Sequence, residues 1–168
     1  MPWGPQIYWI ERPFDGRLAI VRRPGDVDLE RQIAAWRDAG LNLIVSMLEA
    51  AEAEELGLGL EELLCRQHGL DFISCPVPDH GLPEDARAVI ACVDHVLAAL
   101  RLGRRVAAHC FAGVGRSPLF VASVLVRHGL KPDEAWAGIM AARRVTVPDT
   151  DAQRQWVADL ASGRHPDS

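Results

Sequence analysis

Apolar residues in this chain gather in short blocks parted by charged, Gly- and Pro-containing intervals, and the blocks alternate between a strand-like and a helix-like period. Ile7–Ile10 and Leu18–Arg22 read as short strands, the second closed by Pro24 and Gly25. Ile33, Trp36 and Arg37 fall at helical spacing in a segment that Asp26 or Asp28 caps and Gly40 ends. Asn42–Met47 (NLIVSM) is an apolar run between polar residues, the mark of a buried strand. A Glu-rich helical stretch follows through Leu64. Phe72–Val77 is a further strand, and the proline-rich PVPDHGLP after it is loop. Pro83, Glu84 and Asp85 suit the first turn of a helix reaching about Leu102, because Pro needs no donor there and acids favour the helix dipole. A strand over Arg105–His109 and helices over Arg116–Gly129, Pro132–Arg144 and about Thr150–Ala161 complete the pattern.

Strands separated by helices predict an α/β fold: a mostly parallel, twisted sheet of about five strands with helices on both faces. Ligands of such sheets bind beyond the carboxyl ends of the strands, here the loops after Val77 and His109. No repeat or linker interrupts the chain, so a single domain is expected over residues 1–168, its core from about Leu18 to Leu160.

Composition narrows the classes of partner. Apolar residues make up 49% of the chain and charged residues 24%, which excludes a disordered or fibrous protein. A formal charge of -5 offers no footprint for nucleic acid or an anionic membrane. The apolar stretches around Ala88–Leu100 and Leu119–Val126 are too short or too interrupted to span a bilayer. The first residues do not form a charged-then-apolar leader, so no signal peptide and a cytoplasmic location are expected. Four scattered cysteines (Cys65, Cys75, Cys92 and Cys110) fit a reducing compartment better than a disulfide framework. Of the 18 basic residues only Lys131 is a lysine, which reads as genome composition bias.

The informative segment runs from His109 through Cys110, Phe111, Ala112, Gly113, Val114, Gly115 and Arg116 to Ser117. It joins a predicted strand to a predicted helix. Its two glycines permit backbone angles that aim successive N–H groups inward, forming an anion nest. The helix behind it adds unpaired amides and a positive dipole end. Arg116 is placed to fork two hydrogen bonds onto a tetrahedral oxyanion. Cys110 then lies at the base of a phosphate cup whose field favours the ionised thiol. Ser117 is placed to donate to that sulfur, and His109 to support the loop through its own hydrogen bonds.

With His before the cysteine, five residues to the arginine and a serine after it, the segment resembles the signature of the cysteine-based protein tyrosine phosphatases, in particular their compact dual-specificity and kinase-associated branch. The resemblance implies a phosphomonoester hydrolase acting on phosphotyrosine, with dual specificity open to it, through a cysteinyl-phosphate intermediate and without cofactor or metal. Phosphorylated proteins or peptides would be its substrates, and phosphate, vanadate or tungstate would occupy the cup. It further implies a proton donor in the loop before the signature. Asp79, four residues ahead of Pro83, has the spacing of that branch, with His80, Glu84 and Asp85 as rivals. Arg143, Thr150 and Gln153 keep the spacing at which related enzymes place a water-orienting glutamine. Glu49 matches an acidic position after the NLIVSM strand that would bond Arg116 or nearby amides; Glu52, Glu54 and Glu55 read as a charged face.

Other readings stay open at this level. The cup would serve a phosphoprotein-binding module with little turnover. A phosphoinositide phosphatase is disfavoured by the uncharged Phe111, Ala112 and Val114, although Arg143 and Arg144 supply positive charge at the rim. Cys65/His68 and Cys92/His95 have a spacing from which a zinc site is occasionally built. Cys65 or Cys75 is a candidate partner for an oxidised Cys110.

Overall fold

The computed structural model describes residues 4–11 and 14–165. In chain order the elements are β1 (Ile7–Ile10), β2 (Arg17–Val21), α1 (Leu29–Asp38), β3 (Leu43–Ser46), α2 (Ala50–Glu55), α3 (Glu61–Gln67), β4 (Asp71–Ser74), α4 (Ala86–Arg101), β5 (Arg105–His109), α5 (Arg116–His128), α6 (Pro132–Arg143) and α7 (Asp151–Ala161). The strands form a five-stranded sheet in the order β1-β2-β5-β3-β4. All pairs are parallel except β1 with β2, which are near enough in sequence to fold back on each other. The α/β architecture expected from the alternation of periods is therefore the architecture found.

The period of two along the strands divides the interior into two layers. Leu18, Ile20, Leu43, Val45, Val106 and Ala108 point to one face and pack with α4, α5, α6 and α7. Ala19, Val21, Ile44 and Ala107 point to the other and meet α1 and α3 through Ile33, Trp36 and Cys65. The core helix is α5, whose residues from Arg116 to Val126 are all buried. It has no polar face because the sheet covers one side and α4, α6 and α7 cover the rest. No helix among the described residues is long and apolar enough to cross a membrane.

Two local expectations are corrected. The Glu-rich stretch is two helices, not one, because the chain turns at Gly57, whose φ of 72° lies in the left-handed region. Pro83–Asp85 lie outside α4: Asp85 is its N-cap, and its Oδ1 accepts from the Ala88 amide at 3.0 Å. That bond satisfies one of the free amides of the first turn and gives Asp85 a structural role. Asp85→Ala should lower stability by about 1 kcal/mol, measured by urea unfolding. An unfolding midpoint unchanged by the substitution would show that the cap contributes nothing.

Candidate active site

β5 is the central strand, flanked by parallel β2 and β3, so its carboxyl end opens between two neighbours that also end there. The Met47 amide still donates to the His109 carbonyl at 2.9 Å, the last rung before the strands diverge. From Cys110 the chain curls around its own sulfur. Gly113 takes a φ of 74°, and its amide donates to Cys110 Sγ at 3.2 Å. The Ser117 hydroxyl, in the first turn of α5, lies 3.2 Å from the same sulfur. Gly115 begins the helix where a Cβ would stand 3.0 Å from Asp149 and 3.2 Å from the Gln153 amide, so no larger residue fits without displacing them. Cys110 is only 3% exposed, at the floor of a cavity of about 230 Å³ walled by Phe111, Ala112, Val114, Gly115, Arg116 and the Asp79–His80 loop.

Arg116 is 1% exposed and ties four segments together. Both of its terminal nitrogens donate to Glu52, each at 2.7 Å, forming a two-pronged pair. Nη1 also donates to the Val77 carbonyl at 3.0 Å and the Met47 carbonyl at 3.4 Å, so it reaches the loops after β4 and β3. Nη2 lies 3.2 Å from Asp79 Oδ1. Burial is the largest influence and works against the charge of Arg116, but the Glu52 hydrogen bonds and the electrostatic attraction of Cys110, Glu52 and Asp79 together outweigh it and raise its pKa above the usual value.

The Arg116 partner expected at Glu49 is therefore Glu52. Glu49 occupies the N-cap position of α2, and its amide donates back to Glu52 Oε2 at 3.3 Å. One short turn further on, Glu52 faces inward toward the cup. Within a run of four glutamates, nothing in the sequence separates the inward one from the solvated ones, because their orientation depends on where α2 docks.

Asp79 sits at the mouth of the cup, half exposed, and its Oδ1 accepts from the His80 amide at 3.1 Å. His80 has a φ of 56°, and its Nδ1 meets Asp149 Oδ2 at 2.5 Å. Asp149, which sequence reasoning passed over, thus brings a second carboxylate to the cavity wall. Thr150 caps α7, with its Oγ1 accepting from the Gln153 amide at 3.1 Å. Gln153 is fully buried in that first turn, and its Nε2 donates to the Gly81 carbonyl at 3.2 Å. Asp79, Cys110, Arg116, Ser117 and Gln153 are thereby brought together from three parts of the chain.

Behind the cup, His109 Nε2 meets Glu61 Oε1 at 2.6 Å, both side chains buried. This fastens α3 under the end of β5. Arg143 Nε donates to the Gly113 carbonyl at 3.0 Å and stacks on Tyr8, while Arg144 is the left-handed C-cap of α6. Cys65 packs on the opposite face of the sheet from Cys110, which rules out a direct pairing, and burial pushes its thiol up to about 12. Cys75 shares Cys110's layer but hydrogen-bonds Cys92, which together with burial raises its own pKa. The two cysteine–histidine pairs lie on opposite faces of the sheet, and no metal-binding cluster occurs among the described residues.

With this geometry in view, the comparisons with known proteins agree. The model of the family described as polymorphic toxin system, DSP-PTPase phosphatase (Tc-R-P) matches residues 21–130. The fold superposes on kinase associated phosphatase (KAP), solved with its catalytic-site cysteine replaced by serine, at a TM-score of 0.88 and 19% identity over 98% of both chains. It also matches the active form of Tk-PTP at a TM-score of 0.75 and 24% identity, covering 95% of this chain and 98% of that one. A third match is TpbA of P. aeruginosa in complex with pTyr, at a TM-score of 0.63 and 19% identity over 97% of this chain and 94% of the other.

The Arg116–Glu52 pair makes a prediction about stability. Arg116 holds the Glu52 carboxyl below its ordinary value of 4.5. A carboxylate depressed in the folded state adds stability above its unfolded pKa and loses it as pH falls through the folded one. Glu52→Gln should therefore cost about 3 kcal/mol near neutral pH, since it leaves a buried guanidinium without its counter-charge. The gap from the parent protein in thermal melts should narrow steadily below pH 4.5. A gap that stays constant through acid would show that the pair contributes nothing as a charge.

Proposed function

Because this chain belongs to the DSP-PTPase phosphatase family of polymorphic toxin systems, we propose that it hydrolyses phosphotyrosine, and phosphoserine or phosphothreonine where they reach the cup, in two steps through a cysteinyl phosphate. The observation that carries this reading is the sulfur of Cys110, lying 3.2 Å from both the Gly113 amide and the Ser117 hydroxyl at the bottom of an arginine-walled cup. Those two groups stabilise negative charge on sulfur and improve it both as nucleophile and as leaving group.

In the first step Cys110 Sγ attacks phosphorus while the bond to the ester oxygen breaks. The loop amides from Phe111 to Gly115 and the guanidinium of Arg116 neutralise the equatorial oxygens. Docking of the dianion takes over the edge of Arg116 that Asp79 now occupies. Freed from Arg116 and now beside the docked dianion, the Asp79 carboxylate takes up a proton from solvent and gives it to the leaving oxygen. In the second step a water, oriented by the Gln153 amide and deprotonated by Asp79, attacks phosphorus. The S–P bond breaks and inorganic phosphate leaves. His109 and Glu61 hold the loop from behind. The pTyr bound by TpbA supports an aromatic phosphoester as substrate.

The test is hydrolysis of para-nitrophenyl phosphate in EDTA. The parent protein should turn over and Cys110→Ser should fall to background; turnover surviving in Cys110→Ser would exclude the sulfur as nucleophile. Asp79→Asn should lower kcat by about 10²–10⁴ and remove the limb of the pH–rate profile that reports the proton donor. Asp149→Asn should cost less than about tenfold, as expected of a residue that acts through His80. The reverse ranking would make Asp149 the donor.

A further inference from the structure

A second cavity, of about 700 Å³, adjoins the cup across the rim formed by Phe111 and Ala112, which line both. Its wall carries Arg22, Arg23 and Arg143 and no carboxylate. The chain as a whole is acidic at -5, so three arginines facing one space run against the average of the surface. Among the described residues none of the three forms an ion pair. Arg143 donates to the carbonyls of Gly113 and Ala112 and stacks on Tyr8, and Arg23 stacks on Phe111 and donates to the Pro24 carbonyl at 3.4 Å. Carbonyls and aromatic faces hold a guanidinium in place without neutralising it. Glu52, whose ionisation Arg23 favours, is committed to Arg116. Arg22 is exposed and has no hydrogen-bond partner among the described residues.

The sheet register sets the position of this charge relative to the sulfur. Ile20 of β2 is level with Ala108 of β5, so Arg22 leaves the sheet level with Cys110, one strand away. Neighbouring strands lie about 4.8 Å apart. A group one residue along a peptide from the phosphorylated side chain is within reach of that position. Between the arginines the wall combines apolar and aromatic side chains (Ile20, Val21, Tyr8 and Phe111) with the amides Gln6 and Gln32, a mixture that suits a polypeptide segment.

We propose that this cavity receives a second anionic group of the same substrate, so that the preferred ligand is a phosphopeptide whose phosphorylated residue is flanked by another phosphorylated or acidic residue. The inference rests on the phosphatase reading for its first anion, in the cup. The second anion is bound through Arg22 and Arg23, with Arg143 adding its charge from the loop side.

The experiment measures binding and turnover separately. Three peptides of one sequence carry a phosphotyrosine flanked by alanine, glutamate or a second phosphotyrosine. Their affinities for Cys110→Ser are read by fluorescence anisotropy, which needs no turnover. Affinity should rise in that order, the doubly phosphorylated peptide binding about tenfold tighter than the alanine one, well beyond its statistical factor of about two. The advantage should shrink at high salt. Arg22→Ala in the Cys110→Ser background should remove most of it, and Arg22→Glu should reverse it. In the parent enzyme, Arg22→Ala should leave hydrolysis of para-nitrophenyl phosphate within about twofold, since a single phosphate engages only the cup. Equal affinities for the three peptides, or a preference that survives Arg22→Glu, would overturn the proposal. Failure to hydrolyse para-nitrophenyl phosphate would instead overturn the phosphatase reading, while the binding series would still decide the cavity.

Discussion

The site depends on a guanidinium kept charged and held by hydrogen bonds in the protein interior. Arg116 is almost wholly buried, and an unpaired charge there would cost several kcal/mol. Glu52 supplies the counter-charge and two of the hydrogen bonds, and the carbonyls of Val77 and Met47 take others. This arrangement fixes more than one side chain. It draws α2, the loop after β3 and the loop after β4 onto the first residue of α5, and so closes the cup around Cys110. The same guanidinium lies 3.2 Å from Asp79, so the loop after β4 meets the cup at this one residue.

The sheet order makes that convergence possible. β5 is inserted between β2 and β3, so the loop leaving it is bounded by chain on both sides. The loops after β3 and β4 contribute the carbonyls that hold Arg116, while the segment after β2 contributes Arg22 and Arg23 to the cavity next door. Beneath the loop, the buried His109–Glu61 contact joins β5 to α3; above it, Gln153 and Asp149 approach Gly115 so closely that a side chain there would have to displace them. A loop held on every side keeps its shape, with the Gly113 amide already turned toward the Cys110 sulfur.

The distribution of charge separates two tasks. In the cup, positive charge is largely offset by Glu52 and Asp79 and becomes available to a ligand that displaces one of them. In the neighbouring cavity, Arg23 and Arg143 are steadied by carbonyls and rings, and Arg22 is exposed beside them, with no carboxylate in the wall. On the proposed reading, the first arrangement serves chemistry on one phosphate and the second recognition of what stands beside it.

Much of this was legible from local chemistry. The spacing of Cys110, the two glycines, Arg116 and Ser117 specifies a strand–loop–helix cup, because backbone angles and a helix start act over a few residues. Likewise β5 falls at Arg105–His109 as its apolar run implies, and Gln153 lies in the first turn of a helix that Thr150 caps. What stayed hidden was every pairing made across the fold. Glu52 and not Glu49 meets Arg116, Glu61 meets His109, and Asp149 meets His80. Each joins residues far apart in the chain, and which member of a glutamate run faces inward depends on how a helix docks. The amino-acid order determined the cup and its sulfur, since those follow from short-range geometry; only the packed structure decided which charges surround them, since burial and distance exist only once the layers have closed.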